Sequence, residues 1–326
     1  MTEQEHFGRW AEGKGRMNEK TNIVSISGGK DSAVTGLLAG ERRAQGLRFV
    51  YADTGHEHPV TEQYVEYLSD VFQGRFGVGI ETVRADFSER FAKKRQTIRE
   101  KWPEDGVPQA HVDEALALMQ PTGIPMLDLC MLRGRFPSTR ARFCTEELKI
   151  LPMQKRIVMP AIKAGKEVTM WVGVRRDESR ARANAEVREW TDPGYWLYRP
   201  IASWSAQDVF DYHREKGIDA NPLYMQGMSR VGCMPCIMAR KGELRQIAAR
   251  WPEHFDRLAQ WEKLIAAVSK WGKATFFSSD KTPGEDESRS NAMAVKDWAR
   301  TGRGGKQFDL FADEAPACSS VYGLCE

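Results

Sequence analysis

Six consecutive residues, Ser27-Gly28-Gly29-Lys30-Asp31-Ser32, end one hydrophobic run and open a helix-like pattern. Ile23, Val24 and Ile26 read as a buried strand, and Val34, Leu37 and Leu38 as the apolar side of a helix packed on it. A strand, a glycine-rich turn and a helix start together aim backbone N–H groups at an anion. Gly28 and Gly29 permit positive φ and close backbone approach, and Lys30 adds a mobile positive charge. The spacing G-x-x-x-x-G-K-[ST] of the common phosphate loop is absent. The bland alternative is an ordinary strand-to-helix turn capped by Asp31 or Ser32. Two glycines, a lysine and two capping residues within six positions weigh against it.

Other residue groups extend this chemistry. Asp53-Thr54-Gly55 follows a second apolar run, although a turn with Asp53 as cap and Gly55 at positive φ would look the same. His56 and His58 read as exposed turn residues. A strand-like stretch runs through Gly173 into Arg175, Arg176, Asp177, Glu178, Ser179 and Arg180. Guanidinium forks suit phosphate or sulfate oxygens, at roughly 1.5–3 kcal/mol per charge-assisted hydrogen bond. Solvated pairing with acidic neighbours is the reading for Arg182 and Arg188. Arg133, Arg135, Arg140 and Arg142, with Phe136 and Phe143 interleaved, suit a nucleotide, a sulfate, a nucleic-acid backbone or simply water. Cys233 and Cys236 form a C-x-x-C turn, while Cys130, Cys144, Cys318 and Cys325 are dispersed. Iron–sulfur ligands, structural zinc, a redox pair and buried core are all open to them.

These motifs resemble a known family. Ser27 to Ser32 resembles the PP-loop of the adenine-nucleotide alpha-hydrolase-like superfamily, whose members typically work on the bond between the alpha-phosphate and its neighbour. Asp53-Thr54-Gly55, with Pro59 and Thr61, resembles a segment that lies beside adenosine in the PAPS (3′-phosphoadenosine 5′-phosphosulfate) reductase family. Gly173 to Arg180 resembles the arginine motif of ATP sulfurylase and PAPS reductases. "FCTEELKILPM", with Cys144 and Lys149, resembles the cysteine–"LK-x-x-P" element of sulfonucleotide reductases and their phosphorothioation relatives. "GCMPC" resembles the "G-C-x-P-C" element of the iron–sulfur sulfonucleotide reductases. The resemblance spans roughly residues 20–245.

The resemblance implies that Ser27, Gly28, Gly29, Lys30, Asp31, Ser32, Asp53, Thr54, Gly55, Lys149 and Arg180 hold an adenine nucleotide. ATP, adenosine 5′-phosphosulfate (APS) and PAPS are the candidates, with magnesium as an open addition. Lys30, Arg175 and Arg176 are the implied catalytic charges. Cys144, Cys233 and Cys236 are the implied ligands of a 4Fe–4S cluster, with zinc as the alternative. The family commonly carries two adjacent cysteines where this chain has Phe143-Cys144, so the fourth ligand falls to Cys325, with Cys318 and then Cys130 behind it. Three functions follow: a sulfonucleotide reductase, an ATP pyrophosphatase that adenylates a nucleic-acid acceptor for thiolation or phosphorothioation, and a nucleotide-binding regulator without turnover. The family's C-terminal "E-C-G-L-H" is replaced here by "Y-G-L-C-E", which weighs against the reductase. A thioredoxin-like reductant, a sulfur donor and nucleic acid are the open partners.

Positioning these residues requires an α/β fold with an open, mostly parallel sheet and helices on both faces. Strands are expected at 22–26, 47–52, 79–83 and 168–174, with 195–201 at the edge, and helices at 64–72, 147–164 and 206–216. Ligands of such sheets lie outside the carboxyl ends of the strands. The expected divisions are an arm at 1–20, a PP-loop domain at 21–236, a helical extension at 237–270 and an irregular tail at 271–326. The chain has 326 residues, 41% hydrophobic and 29% charged, with net charge +3. That charge alone does not argue for nucleic acid. No apolar run approaches membrane length and the start does not resemble a signal peptide, so a reducing cytoplasmic setting is expected, with the six cysteines as free thiols or metal ligands rather than disulfides.

Overall fold

The computed structural model describes residues 19–277 and 290–302. Six strands form one sheet: β1 (Lys20–Ile26), β2 (Leu47–Asp53), β3 (Ile80–Arg84), β4 (Glu167–Trp171), β5 (Arg188–Trp190) and β6 (Trp196–Tyr198). Their order is β3-β2-β1-β4-β6-β5. All neighbours are parallel except the β5–β6 pair. The stretch expected at the edge is therefore interior, because β5 lies outside it. All three β5 residues are exposed, so no apolar alternation marked that strand.

The helices are α1 (Lys30–Glu41), α2 (Pro59–Phe76), α3 (Ser88–Glu104), α4 (Gln109–Leu118) and α5 (Pro125–Arg133), then α6 (residues 143–163). After the sheet come α7 (Ala206–Glu215), α8 (Lys241–Arg250), α9 (Glu253–Ala267) and α10 (Ala292–Ala299). Ile23 and Val24 point to opposite faces of β1, and each face is covered. Ile23, Val50 and Val83 pack with Ile157 and Val158 of α6. Val24, Ile26 and Phe49 pack with Leu37 of α1 and Leu68 and Phe72 of α2. A third core joins Phe91, Ile98, Leu129 and Cys130 to Leu244, Phe255 and Trp261, so the helices after residue 237 share their interior with residues 87–136.

The region expected to be irregular from Trp271 onward includes helix α10, which buries Ala292, Val295 and Ala299. Its cap is Asn291, whose side chain accepts from the Ala294 N–H at 2.9 Å. Two π-helical turns, Glu146–Ile150 and Gln154–Val158, interrupt α6. Such turns are frequent at functional sites, and the first of them carries Lys149. No helix among the described residues is long and apolar enough to cross a membrane.

Candidate functional site

The loop from Ser27 to Ser32 joins the carboxyl end of β1 to the start of α1. The Ser32 hydroxyl accepts from the Ser27 N–H at 3.1 Å and donates to the Gly29 carbonyl at 2.9 Å, which closes the loop on itself. Gly28 lies at φ +71°, and a Cβ there would fall 2.6 Å from Thr61 Cγ2. Gly29 has φ −96°, and its nearest neighbour to an added Cβ is Tyr224 Oη at 3.3 Å. Only Gly28 of the pair therefore uses the left-handed region. Gly29 occupies the N-cap of α1 without a side-chain cap bond, so neither Asp31 nor Ser32 plays the capping role of the bland alternative.

Lys30 is buried rather than mobile. Its ammonium lies 3.0 Å from Asp31 Oδ2 and stacks over the rings of Tyr224 and Phe210. Asp31 also accepts from Arg175 Nε, and Arg175 Nη1 donates to Asp177. Gly173 makes this contact possible, since a Cβ there would lie 2.6 Å from the Asp31 carbonyl carbon and 2.8 Å from the Ser32 nitrogen. Of the candidate arginines, only Arg175 reaches the loop. Arg176 turns its Nε to the Ala185 carbonyl at 2.9 Å, and Arg180 is exposed. Arg182 pairs with Glu178 and Arg188 with Glu167, as expected for solvated arginines.

Three loop braces were not singled out from sequence. Asn221 Nδ2 donates to the Gly28 carbonyl at 3.0 Å, the Tyr224 hydroxyl accepts from the Lys30 N–H at 3.1 Å, and His213 Nε2 lies 3.1 Å from the Lys30 carbonyl. They arrive from helix α7 and the turn that follows it, 183 to 194 residues later, and nothing in their spacing points back to the loop.

The second wall is the turn after β2. Asp53 Oδ1 accepts from the Gly55 N–H at 2.8 Å and Asp53 Oδ2 accepts from Arg84 at 2.6 Å, with Gly55 at φ +68°. Thr54 is buried, and its hydroxyl lies 2.8 Å from the Glu57 carboxylate and 3.6 Å from Cys233 Sγ. Glu57 is 3.7 Å from Cys233 Sγ and 3.8 Å from Lys149 Nζ. Thr61 packs on Gly28, and its hydroxyl donates to the Val231 carbonyl. His56 and His58 are buried, not exposed, because the helices that cover them come from far along the chain.

Cys144, Cys233 and Cys236 all act electrostatically on Lys149. Cys233 foremost, then Glu57, Cys236 and Cys144, raise the Lys149 ammonium's pKa against burial. Burial pushes the Cys233 thiol up to about 12, with Lys149 opposing. Burial, then Cys236, also raises Cys144. Cys130 is fully buried in the third core, and burial raises its pKa well above the ordinary thiol value. Cys318 and Cys325 lie outside the described residues.

Among the described residues no group of three or more His, Cys, Asp or Glu is arranged around a single metal ion. Among the described residues two buried side-chain atoms lack a hydrogen-bond partner, Tyr51 Oη and Arg257 Nε. Buried polar atoms are ordinarily paired, and Arg257 is one of the side chains that hold the Cys233–Cys236 turn, through the Met234 carbonyl.

The arginine-rich stretch divides. Arg133 and Arg90 clamp the buried Glu147, which they hold below its ordinary pKa although burial works against them. Arg133 and Arg135 stack on Phe143 at 5.5 and 5.8 Å, and Phe136 is buried in the core. Arg140 and Arg142 are exposed.

The family model for the phosphoadenosine phosphosulfate reductase domain matches residues 21–239. An uncharacterized 37.8 kDa protein of Escherichia phage 186 is 47% identical over 328 residues, covering 94% of this chain and 96% of that protein. An adenosine 5′-phosphosulfate reductase of Streptomyces coelicolor is 48% identical over 65 residues, which span 20% of this chain and 28% of that enzyme. The corresponding enzyme of Burkholderia cepacia is 36% identical over 104 residues, spanning 31% and 42%. The crystal structure of a PAPS reductase from Candida auris aligns at 17% identity with a TM-score of 0.40, covering 72% of this chain and 88% of that one.

Proposed function

Because the chain belongs to the phosphoadenosine phosphosulfate reductase domain family, we propose that it is an enzyme that binds an adenine nucleotide at Ser27–Ser32 and reduces or transfers sulfur beside the neighbouring thiols. One observation carries this reading. The turn from Asp53 to Thr61 touches the phosphate loop at one end, through Thr61 on Gly28, and Cys233 at the other, through Thr54 and Glu57. A nucleotide on the loop and a sulfur centre at the thiols would share that wall.

In this reading Ser27, Gly28, Gly29 and Ser32 hold phosphate oxygens with backbone and hydroxyl donors. Lys30 and Arg175 neutralise Asp31 and keep the loop shaped for an anion. Asp53, Thr54 and Gly55 border the adenosine, and Lys149, Arg176 and Arg180 contact anionic oxygens from the rim. Cys144, Cys233 and Cys236, with Cys325 as fourth, would hold the 4Fe–4S cluster, which would supply an electron-accepting centre when bound. For APS or PAPS, a thiolate attacks the sulfur. A new S–S bond forms as the S–O bond to the alpha-phosphate breaks, and the electron pair leaves with AMP or its 3′-phosphate. A thioredoxin-like dithiol then supplies two electrons and releases sulfite.

A second reading, an ATP pyrophosphatase acting on a nucleic-acid acceptor, is favoured by Arg140 and Arg142. They are exposed beside Cys144, in a stretch without a carboxylate between Asp128 and Glu146. A turnover panel decides. Sulfite from APS or PAPS supports the first reading, and pyrophosphate from ATP in the presence of nucleic acid supports the second. Tight nucleotide binding with neither product leaves only the regulator.

A further inference from the structure

We infer that Arg257, on helix α9, is a positioning residue for the Cys233–Cys236 turn, holding its backbone and setting a positive charge behind the thiols. The inference rests on the reading that these thiols hold a metal centre.

Arg257 Nη2 lies 3.1 Å from the Met234 carbonyl, 3.2 Å from His56 Nδ1 and 3.1 Å from His254 Nδ1. A guanidinium only donates, so a bond to His56 requires Nδ1 to be the unprotonated nitrogen of that ring. His56 Nε2 then carries the hydrogen and donates to the Pro235 carbonyl at 3.0 Å. The His56 carbonyl in turn accepts from the Met234 N–H at 2.9 Å. Both carbonyls between the two cysteines are thus held by one network whose source is Arg257. The indole of Trp261 backs it, 5.3 Å from the guanidinium and 5.2 Å from the His56 ring.

The charge is the second element. Both imidazoles stay neutral, since burial and then Arg257 push His56 down to about 3 and His254 to about 4. Among the described residues no carboxylate pairs with Arg257 within 4.0 Å. A partly buried cation without a contacting anion is costly, and nearby negative charge offsets the cost. Glu62, Glu253 and Glu57 supply part of that charge from beyond contact distance, and a metal-bound thiolate at Cys233 would add to it.

The test uses the full chain, purified without air, as wild type, Arg257→Met and Arg257→Gln. Gln keeps a donor for the Met234 carbonyl but removes the charge, and it carries the test if the Met variant fails to fold. Loss of an outer-shell partner costs about 10–100-fold in metal affinity, so Arg257→Met should lose iron to a chelator at correspondingly lower chelator concentration. Arg257→Gln should keep more iron but show a lower midpoint potential, because a removed positive charge disfavours the reduced centre. Wild-type iron retention and potential in both variants would overturn the inference while leaving the metal centre intact. Wild-type protein without iron or sulfide would instead remove the reading on which it rests. The turn is then tested in the metal-free chain, where alkylation of Cys233 and Cys236 should be faster in Arg257→Met than in wild type. Equal rates overturn the positioning role.

Discussion

The Asp31 carboxylate and the Arg175 guanidinium form a largely buried ion pair that fastens the Ser27–Ser32 loop to the carboxyl end of β4. The side chains are 14% and 4% exposed. Arg175 also donates to Asp177, so its influence on a bound nucleotide runs through the shape of the loop as much as through its own charge.

Removing Arg175 should therefore destabilise the fold as well as the site. Asp31 keeps Lys30 as a second partner at 3.0 Å, so the loss is that of the charged hydrogen bonds of Arg175, about 1.5–3 kcal/mol. Arg175→Ala should lower the urea midpoint accordingly. Arg176→Ala, which loses one exposed bond to a carbonyl, should stay within about 0.5 kcal/mol of wild type. Equal midpoints for the two variants would dismiss the pair as a structural element.

The two loop glycines should behave differently. Gly28→Ala places a side chain in the left-handed region, at about 1–2 kcal/mol, and against Thr61. It should weaken nucleotide binding by at least about tenfold, or 1.4 kcal/mol. Gly29→Ala puts its Cβ 3.3 Å from Tyr224 Oη, a tight contact with the brace on the Lys30 N–H, and should weaken binding less than Gly28→Ala. Isothermal titration with ATP, APS and PAPS reads both. A Gly29 effect larger than the Gly28 effect would contradict the loop geometry.

Acid should erode stability through the buried histidines. Burial, reinforced by Arg257, depresses His56 to about 3 and His254 to about 4 from 6.5. Below 6.5 the unfolded chain takes up protons that the folded chain refuses. The stabilisation is thus complete above that value and falls as pH drops towards 4, by about 1.4 kcal/mol per pH unit for each ring. His254→Leu should remove one such increment from the slope between pH 6 and pH 5, measured by urea unfolding. An unchanged slope would mean that the ring titrates normally in the folded chain.

The thiols should act as one set. Anaerobic protein is expected to be brown, with about four irons and four sulfides per chain. Cys144→Ser, Cys233→Ser and Cys236→Ser should each lose the visible absorption, whereas Cys130→Ser should keep it. Deleting residues 317–326 should lower iron content if Cys325 or Cys318 is the fourth ligand. The same deletion should spare the iron but abolish sulfite release if a late cysteine is the nucleophile. Stoichiometric zinc without iron would count against the cluster.

The strands were legible because Ile23, Val24, Phe49 and Val50 are apolar on both faces of a covered sheet. The loop was legible because its chemistry is local. Helix α3 was not, since it exposes charge along most of its length and buries only Phe91, Ile98 and Trp102. The burial of His56 and His58 depends on Trp261, Phe276, Trp251 and His254, about 200 residues away, and no local pattern carries that information. Lys30 looked like a free charge because Phe210 and Tyr224, which enclose it, come from far along the chain.

That separation also has a clock attached. Asn221 follows Gly28 by 193 positions, and Tyr224 follows Lys30 by 194. A ribosome adding about 5–20 residues per second needs roughly 10–40 s to cover such a distance. Throughout that interval the nascent chain carries the loop sequence without its braces. Nucleotide in the surrounding solution can stabilise only what it binds. A nucleotide that needs the braced loop can therefore act only on a molecule whose synthesis is already well past its midpoint.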